Sequence, residues 1–496
     1  MCGIRRHKGR KTFILVKRIT VKITKNIYYF FRYAYRFNLQ IHTQVAPARE
    51  GGGIRPLVRK RPAAHGPRHP PEQDGPEGAT ARTAVRKRAK HPEKTDRTET
   101  DRTETDRRKS GGNGNRIRNF SLSLVAMAGL YFHIPFCKRV CAYCDFYKSV
   151  ELDRMEPLAE AMRRELEARR DYLGGEPVRT RYFGGGTPSL CPPETIGGLL
   201  ARAAELFDCS AVEETTLEAN PDDLTPAYLE ALRRTGIDRL SIGIQSFDDA
   251  CLKLMNRRHT AAQAAESVRR AREAGFGNLT IDLIFGVPGF GGDTLRRSLD
   301  TALALGPEHI SAYHLTIEPA TVFGRRAARG DFAPVEEEVS EAEFGLVHDT
   351  LTAAGYEHYE VSNFARPGFR ARHNAAYWHG AKYLGIGPAA HSFDGRERHW
   401  NVASVTQYIG GAEPGSETLS ERDRFNEYLL TRLRTAEGIG LAETEALFGA
   451  ERTARIVREV RPWTETGAAE IRGGRLAVPP RRMLLSDAVI ETLFET

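Results

Sequence analysis

From about residue 129 onward, the spacing of hydrophobic and polar positions predicts strands and helices in alternation. Apolar segments rich in β-branched and aromatic residues predict six strands, at 129–136, 178–186, 213–220, 238–246, 278–288 and 309–317. Between them, amphipathic stretches predict helices at 155–173, 194–207, 226–236, 261–275 and 293–306. Repeated strand–helix units predict an α/β fold with a parallel sheet, either a partial (β/α)6 TIM-type barrel or a doubly wound sheet.

The pattern changes after Phe364. A Gly/Ala-rich aromatic stretch runs to about 411, and helical stretches follow at 421–435, 441–449 and 452–463. Gly473 and Gly474 then predict a hairpin turn, and the whole order predicts a small α+β winged-helix-like domain. The predicted domains are therefore a barrel at 127–365, a connecting region at 366–420 and a C-terminal domain at 421–496. In the last of these, acidic residues outnumber basic ones, which indicates a packing or partner surface and no nucleic-acid contact.

Charge separates a basic N-terminal arm from the rest of the chain. The net charge of +9 combines 30 Lys/Arg against 10 Asp/Glu in residues 1–126 with 43 against 54 in residues 127–496. The arm also contains a TDRTE repeat and a Pro/Gly-rich stretch, which predict a disordered low-complexity segment. Three alternatives stay open: a targeting peptide, since the first 49 residues hold no Asp or Glu; a functional basic tail; or upstream sequence translated ahead of a start at Met127. The sequence holds no run of about 18 apolar residues that would span a membrane.

Three cysteines, Cys137, Cys141 and Cys144, follow the first predicted strand with the spacing C-x3-C-x2-C. Seven cysteines in 496 residues are too few for a disulfide scaffold and indicate a reducing compartment. Clustered thiolates select zinc, Cu(I) or iron–sulfur clusters. Three thiolates can hold three irons of a four-iron cluster and leave the fourth iron open, whereas zinc would need a distant histidine as well.

Other polar or glycine-rich clusters also fall at predicted strand ends. "YFGGGTPSL" follows the second strand, where backbone without side chains can approach a ligand or simply form a turn. Glu218 and Gln245 end the third and fourth strands, and burying them is costly unless they bind a ligand or cap a helix. Asp282 interrupts the apolar run of the fifth strand. In barrel enzymes the carboxyl ends of the strands form the site.

The cysteine spacing and these strand-end clusters resemble the radical S-adenosylmethionine (SAM) superfamily. The resemblance implies a partial (β/α)6 barrel, a [4Fe–4S] cluster on Cys137, Cys141 and Cys144, and SAM bound to the open iron. It also implies SAM contacts at matching positions, namely Tyr131, Tyr143, Gly185, Gly186, Thr187, Glu218, Gln245, Arg257 and Asp282.

Across 127–496 the motifs further resemble the HemN-like group, and "RHNAAYWHG" resembles the motif of HemW-type heme chaperones. In that family the histidine, here His373, is tied to heme binding. A neutral imidazole is a good iron ligand, and Tyr377 and Trp378 offer flat apolar surfaces for a porphyrin. Taken alone, the motif favours a buried His–Asn hydrogen-bond pair beside core aromatics, and the rest of the match reverses that preference. His391 is a second candidate for an axial ligand.

The resemblance implies a cytoplasmic protein, or one peripheral at the inner membrane face, that binds heme and passes it to acceptor hemoproteins. Membrane respiratory enzymes and a second copy of the chain are the partners that it implies. The alternative within the group is an oxygen-independent coproporphyrinogen III dehydrogenase. Phe146 disfavours it, because that position carries a further cysteine in the dehydrogenase. A third hypothesis is a radical SAM enzyme that acts on another substrate. The "HNAAYW" motif argues against it, because such an enzyme has no known use for the motif.

Overall fold

A twelve-stranded sheet dominates the fold, and its middle six strands follow the order of the chain. The computed structural model describes residues 128–496, so the predictions for the basic arm lie outside the described residues. The middle strands are β1 (Ala128–Ile134), β2 (Val178–Gly185), β3 (Glu214–Ala219), β4 (Arg239–Gln245), β5 (Asn278–Phe285) and β6 (His309–His314). Each pairs in parallel with the next. An order that never reverses across these six strands is that of a partial barrel and not of a doubly wound sheet. The predicted fold class is confirmed.

Helices follow these six strands along the chain, and all of them except the short fourth one pack on the outer face of the strands. They are α1 (Met155–Ala168), α2 (Pro193–Leu206), α3 (Pro226–Arg233), α4 (Asp249–Leu254), α5 (Ala261–Glu273) and α6 (Asp293–Leu305). Leu158, Met162 and Leu166 of α1 are buried at the four-residue spacing that the sequence predicted. The short α4 was not predicted.

The two faces of the strands differ in chemistry. On β1, Leu130, Phe132 and Ile134 belong to the apolar core, whereas Tyr131 and His133 line an interior cavity. Since successive strand residues point to opposite faces, the alternation places polar side chains inside the sheet's curve.

Short strands extend the sheet on both edges. Beyond β1 lie β9 (Tyr383–Ile386), β10 (His391–Phe393), β11 (Glu397–Trp400) and β12 (Gly415–Thr418), and beyond β6 lie β8 (Asn363–Ala365) and β7 (Glu357–Glu360). The connections use α7 (Val322–Ala328), α8 (Glu337–Ala353), α9 (Arg372–Trp378) and α10 (Val405–Ile409). The predicted connecting region therefore contributes four strands to the main sheet, which its sequence pattern did not reveal.

The C-terminal residues form a small helical unit with its own sheet. Its elements are α11 (Glu421–Arg432), β13 (Ile439–Gly440), α12 (Leu441–Phe448), α13 (Ala450–Glu459), α14 (Arg461–Glu465), β14 (Glu470–Arg472), β15 (Arg475–Ala477) and α15 (Ser486–Leu493). The hairpin of β14 and β15 turns at Gly473 and Gly474, where the sequence predicted it, and β15 pairs with β13. This is the winged-helix-like order that was predicted. The boundaries between the domains stay predictions.

Across residues 128–496, none of the helices combines the length and the apolar character that crossing a bilayer requires.

Candidate functional site

A single cavity, at the carboxyl ends of β1 to β5, is lined by every residue predicted to bind the cluster, SAM or the heme iron. Trp378, which was predicted to offer the porphyrin a flat surface, is 1% exposed in the apolar core and does not line the cavity. The cavity encloses about 1370 Å³ of empty space, its open mouth included. Its walls include the three cysteines, the nine positions expected to contact SAM, and both candidate heme ligands, which are Cys137, Cys141, Cys144, Tyr131, Tyr143, Gly185, Gly186, Thr187, Glu218, Gln245, Arg257, Asp282, His373 and His391. Phe146 also lines it. The roles of these residues stay predictions.

The cysteine loop is held by backbone hydrogen bonds at both of its ends. The Cys137 N–H donates to the Ser149 carbonyl at 2.9 Å, and the Ala142 N–H donates to the Met255 carbonyl at 3.0 Å. The Ala142 carbonyl in turn accepts from the Phe323 N–H at 2.9 Å. These contacts tie the loop to itself and to the ends of α4 and α7.

Two hydrogen-bond donors reach the thiol groups. The Thr187 hydroxyl donates to Cys137 Sγ at 3.5 Å, and the Arg257 guanidinium donates to Cys141 Sγ at 3.4 Å. Burial raises the pKa of the Cys137 thiol to about 11, so this thiol is protonated near pH 7 and must release its proton to solvent when it binds a metal.

This donor set fits an iron–sulfur cluster. Three thiols stand separately on one cavity wall, and such a cluster takes one thiolate per iron. Among residues 128–496, no three His, Cys, Asp or Glu side chains converge closely enough to hold a single metal ion.

The glycine loop at the end of β2 packs closely against other parts of the protein. A Cβ on Gly186 would lie 2.6 Å from the carbonyl carbon and oxygen of Pro135, two residues before Cys137. Gly185 has φ = 114°, and its Cβ would lie 2.7 Å from Cε1 of His133. Glycine is therefore required here because the loop packs against the start of the cysteine loop and against an imidazole ring.

Polar side chains at the next strand ends are fixed by neighbours in the cavity. Glu218 accepts hydrogen bonds from the Tyr182 hydroxyl at 2.8 Å and from the Gly185 N–H at 3.2 Å. Asp282 accepts from the Ser241 hydroxyl at 3.3 Å. Gln245 ends β4 with φ = 73°, a left-handed conformation that costs a residue other than glycine about 1–3 kcal/mol and that clusters at functional sites.

Arg257 connects the fourth strand with the cysteine loop. Besides Cys141, its guanidinium donates to Asn220 Oδ1 at 2.7 Å and to the Gly243 carbonyl. Arg257 thus links the ends of β3 and β4 to one of the three thiols.

Helix α9 forms the floor of the cavity, because His373, Asn374 and Tyr377 all line it. His373 is 2% exposed, its Nδ1 is 2.8 Å from the Thr180 hydroxyl, and its Nε2 is 2.8 Å from the Tyr377 hydroxyl. Its ring stacks on that of Tyr182, with 5.0 Å between centroids. Burial lowers the pKa of His373 to about 3. Both ring nitrogens are therefore engaged by protein, through the hydroxyls of Thr180 and Tyr377.

Sequence reasoning missed further residues of the cavity, among them His133, Tyr182 and Tyr313. His133 and Tyr182 could have been found from strand periodicity. His133 lies two residues after Tyr131 on β1, and Tyr182 pairs with Tyr131 on the neighbouring strand.

The comparisons with known proteins identify the class and the family of the chain. Residues 131–302 match the family model described as the Radical SAM superfamily, which is the class of protein that the barrel and the cysteine loop define. Membership of that class implies a [4Fe–4S] cluster and SAM. The solved structure described as coproporphyrinogen III oxidase (HemN) from Escherichia coli has the same fold, with a TM-score of 0.64 and 22% identity over 75% of this chain and 90% of that chain.

Several relatives of higher sequence identity are named heme chaperones. The heme chaperone HemW of Mycobacterium tuberculosis is 37% identical over 375 residues, which is 74% of this chain and 94% of the relative. The heme chaperone HemW of Lactococcus lactis is 36% identical, with 64% and 84% coverage. The chain belongs to the HemW family. A mitochondrial radical S-adenosyl methionine domain-containing protein 1 of Bos taurus is 34% identical, with 64% and 71% coverage.

Proposed function

We propose that the protein binds heme and transfers it to acceptor hemoproteins. The observation that carries the proposal is the floor of the cavity, where the "HNAAYW" helix faces the cysteine loop across a single space. Aromatic rings and neutral imidazoles on these walls suit a flat apolar macrocycle with a central iron. The name of the Mycobacterium tuberculosis and Lactococcus lactis relatives supports the same function.

The cluster and SAM have defined places in this proposal. Cys137, Cys141 and Cys144 hold the cluster, which when bound supplies an open iron for SAM and an electron. Thr187 and Arg257 donate hydrogen bonds to two of the thiols and fix their orientation. The remaining predicted contacts surround SAM from the ends of β1 to β5.

Coproporphyrinogen III dehydrogenase activity is the less supported alternative. Phe146 lines the cavity at the position where the dehydrogenase carries a further cysteine, and a phenyl ring supplies no thiol. We therefore expect no decarboxylation of coproporphyrinogen. Porphyrin fluorescence after anaerobic incubation with coproporphyrinogen III measures it directly.

The partners follow from the proposed function. We place the protein in the cytoplasm or at the inner membrane face, with membrane respiratory enzymes as heme acceptors and a second copy of the chain as a partner. Heme transfer to membrane vesicles from heme-starved bacteria would test the acceptor, and light scattering with and without the reconstituted cluster would test dimerisation.

The decisive experiment is an anaerobic hemin titration of the full chain, followed by absorbance. Saturable binding with one heme per chain is expected. His399→Ala is the matched control, since His399 lies on β11 and does not line the cavity. If the wild-type chain binds no heme saturably, the proposed function is refuted.

A further inference from the structure

The cavity lining has one cationic side chain more than it has carboxylates. Arg139, Lys148 and Arg257 line it, against Glu218 and Asp282. Both carboxylates accept hydrogen bonds from neighbouring groups of the cavity, and Arg257 is committed to contacts with the ends of two strands and with one thiol. An excess of positive charge in a cleft favours a ligand that carries negative charge.

Arg139 and Lys148 are the cations that protein carboxylates leave to the cavity. Across residues 128–496, neither of them forms an ion pair, and neither is a position expected to contact SAM. The neighbouring Lys138 differs, because it pairs with Asp223 at 3.0 Å and does not line the cavity. Arg139 is exposed and Lys148 is half-buried, so an anion that enters the cavity can reach both.

The ammonium group of Lys148 is held in place by the loop that carries it. Its Nζ donates to the carbonyl oxygens of Cys144 and Phe146, each at 3.0 Å. An ammonium has three N–H donors, so one donor remains for a ligand. Because the side chain is already ordered, binding through this donor costs little conformational freedom.

The wall beside Lys148 is apolar. The ring of Phe146 lines the cavity two residues before it. An apolar ring next to a fixed cation suits a ligand with a flat apolar body and a carboxylate at its edge. Heme has this form, since its two propionate carboxylates lie on one edge of an apolar macrocycle.

From these contacts we infer that Arg139 and Lys148 form a carboxylate-binding subsite of the cavity, which takes the propionates of heme. The propionate edge of the macrocycle then lies toward the cysteine loop. This inference rests on the proposed heme-binding function and adds the part of the ligand that is recognised. The carboxylate of SAM is the other source of the same chemistry, so the test must separate the two.

The test compares hemin with its propionate dimethyl ester, which is uncharged at that edge, in anaerobic titrations of the full chain with its cluster reconstituted. The wild type should bind the ester about tenfold more weakly than hemin. Lys148→Met should raise the Kd for hemin by about tenfold and leave that for the ester unchanged. Arg139→Met should raise the Kd for hemin about two- to fivefold, because Arg139 is exposed.

Two further variants are matched controls. Lys148→Arg keeps a cation and should keep the preference for hemin over the ester. Lys253→Met removes the same charge from an exposed lysine of α4 that does not line the cavity, and it should match the wild type. If Lys148→Met does not fold, Lys148→Gln and the exposed Arg139→Met carry the test.

The outcomes separate this inference from its rivals. Equal affinity of the wild type for hemin and the ester overturns the inference while leaving heme binding intact. Equal weakening of both ligands by Lys148→Met also overturns it, because a merely structural role has that effect. Equilibrium dialysis with SAM identifies the other source: weaker SAM binding with unchanged hemin binding in the two methionine variants assigns the subsite to SAM. Absence of saturable hemin binding by the wild-type chain refutes the proposed function itself.

Discussion

The floor of the cavity depends on one buried carboxylate. Glu214 begins β3 and is 3% exposed, and it accepts the backbone N–H groups of Arg372 at 2.9 Å and of His373 at 3.1 Å. It therefore caps the N-terminus of α9, where a negative charge is favourable. It also lies 3.8 Å from the guanidinium of Arg239, which is itself 1% exposed.

Glu214→Ala should therefore destabilise the protein strongly. The change removes two charge-assisted hydrogen bonds and leaves a buried guanidinium without its carboxylate, and breaking one side of a buried pair costs about 3–5 kcal/mol. The neighbouring Glu213 is a matched control. It pairs with Arg179 at 2.7 Å and with Arg372, but these side chains are one-third exposed or more, so Glu213→Ala should cost about 0–1 kcal/mol.

Urea unfolding of the full chain measures both changes. Far-UV circular dichroism reports the global transition, and tryptophan emission includes Trp378, which lies on α9 and is 1% exposed. Loosening of α9 should shift that emission to the red before the global transition. If the two variants differ in free energy of unfolding by less than about 1 kcal/mol, Glu214 is not the anchor of the floor.

Three further changes test other parts of the site. Gly186→Ala should lower the iron content after anaerobic reconstitution, because the added Cβ would lie 2.6 Å from the backbone that leads into the cysteine loop. Gly277→Ala is the control, since a Cβ at Gly277 would have no atom within 4 Å, and it should keep the full iron content. Equal iron contents in the two variants would contradict the prediction. Thr187→Val removes the hydroxyl that donates to Cys137 and should lower the midpoint potential of the cluster by about 40 mV, because this hydrogen bond stabilises the more negative reduced state by about 1 kcal/mol. A redox titration followed by electron paramagnetic resonance measures the potential. Thr187→Ser should keep it, and an unchanged potential in the valine variant would refute the role of the hydroxyl. Burial raises the pKa of Glu360 to about 8, whereas a glutamate in an unfolded chain has a pKa of about 4.3. Between these two pH values the folded state binds more protons than the unfolded state. The free energy of unfolding therefore falls as pH rises, by at most about 1.4 kcal/mol per pH unit. Glu360→Gln should flatten this fall in urea titrations between about pH 5 and pH 8, and an identical pH dependence in both proteins would exclude Glu360 as its source.

The barrel could be predicted from the sequence because its strands are long and apolar. Each of the six observed parallel strands lies within its predicted segment or starts one residue before it, since buried runs of six to eight residues carry a clear signal. The edge strands β9 to β12 have only three or four residues each, too few for any period to show. Helix α8 was also missed, as its buried apolar residues Phe344, Val347 and Leu351 occupy only its second half.

The site could be located from the sequence, but the use of its atoms could not. The cysteine spacing, the strand ends and the family resemblance named residues that all line one cavity, and their roles stay predictions. That both nitrogens of His373 are occupied depends on Thr180, which is 193 residues away along the chain. A motif identifies which residue is a histidine. Whether a ring nitrogen of that histidine has a free lone pair depends on tertiary contacts, which the motif does not contain.

Side chains of strand β1 contact both α9, at the floor of the cavity, and the glycine loop next to the cysteines. Tyr131 stacks on His373 of the floor, with 6.4 Å between ring centroids, and bonds to His133, whose ring packs over Gly185. The next residue, Gly186, contacts the backbone of Pro135 just before the cysteines. These contacts run without a break from α9 to the start of the cysteine loop, so a displacement of α9 should reach the cysteines. We therefore predict that the proposed heme site and the proposed cluster site respond to each other. A change of the floor such as Glu214→Ala should then alter the accessibility of Cys137 to thiol reagents as well as the stability of α9.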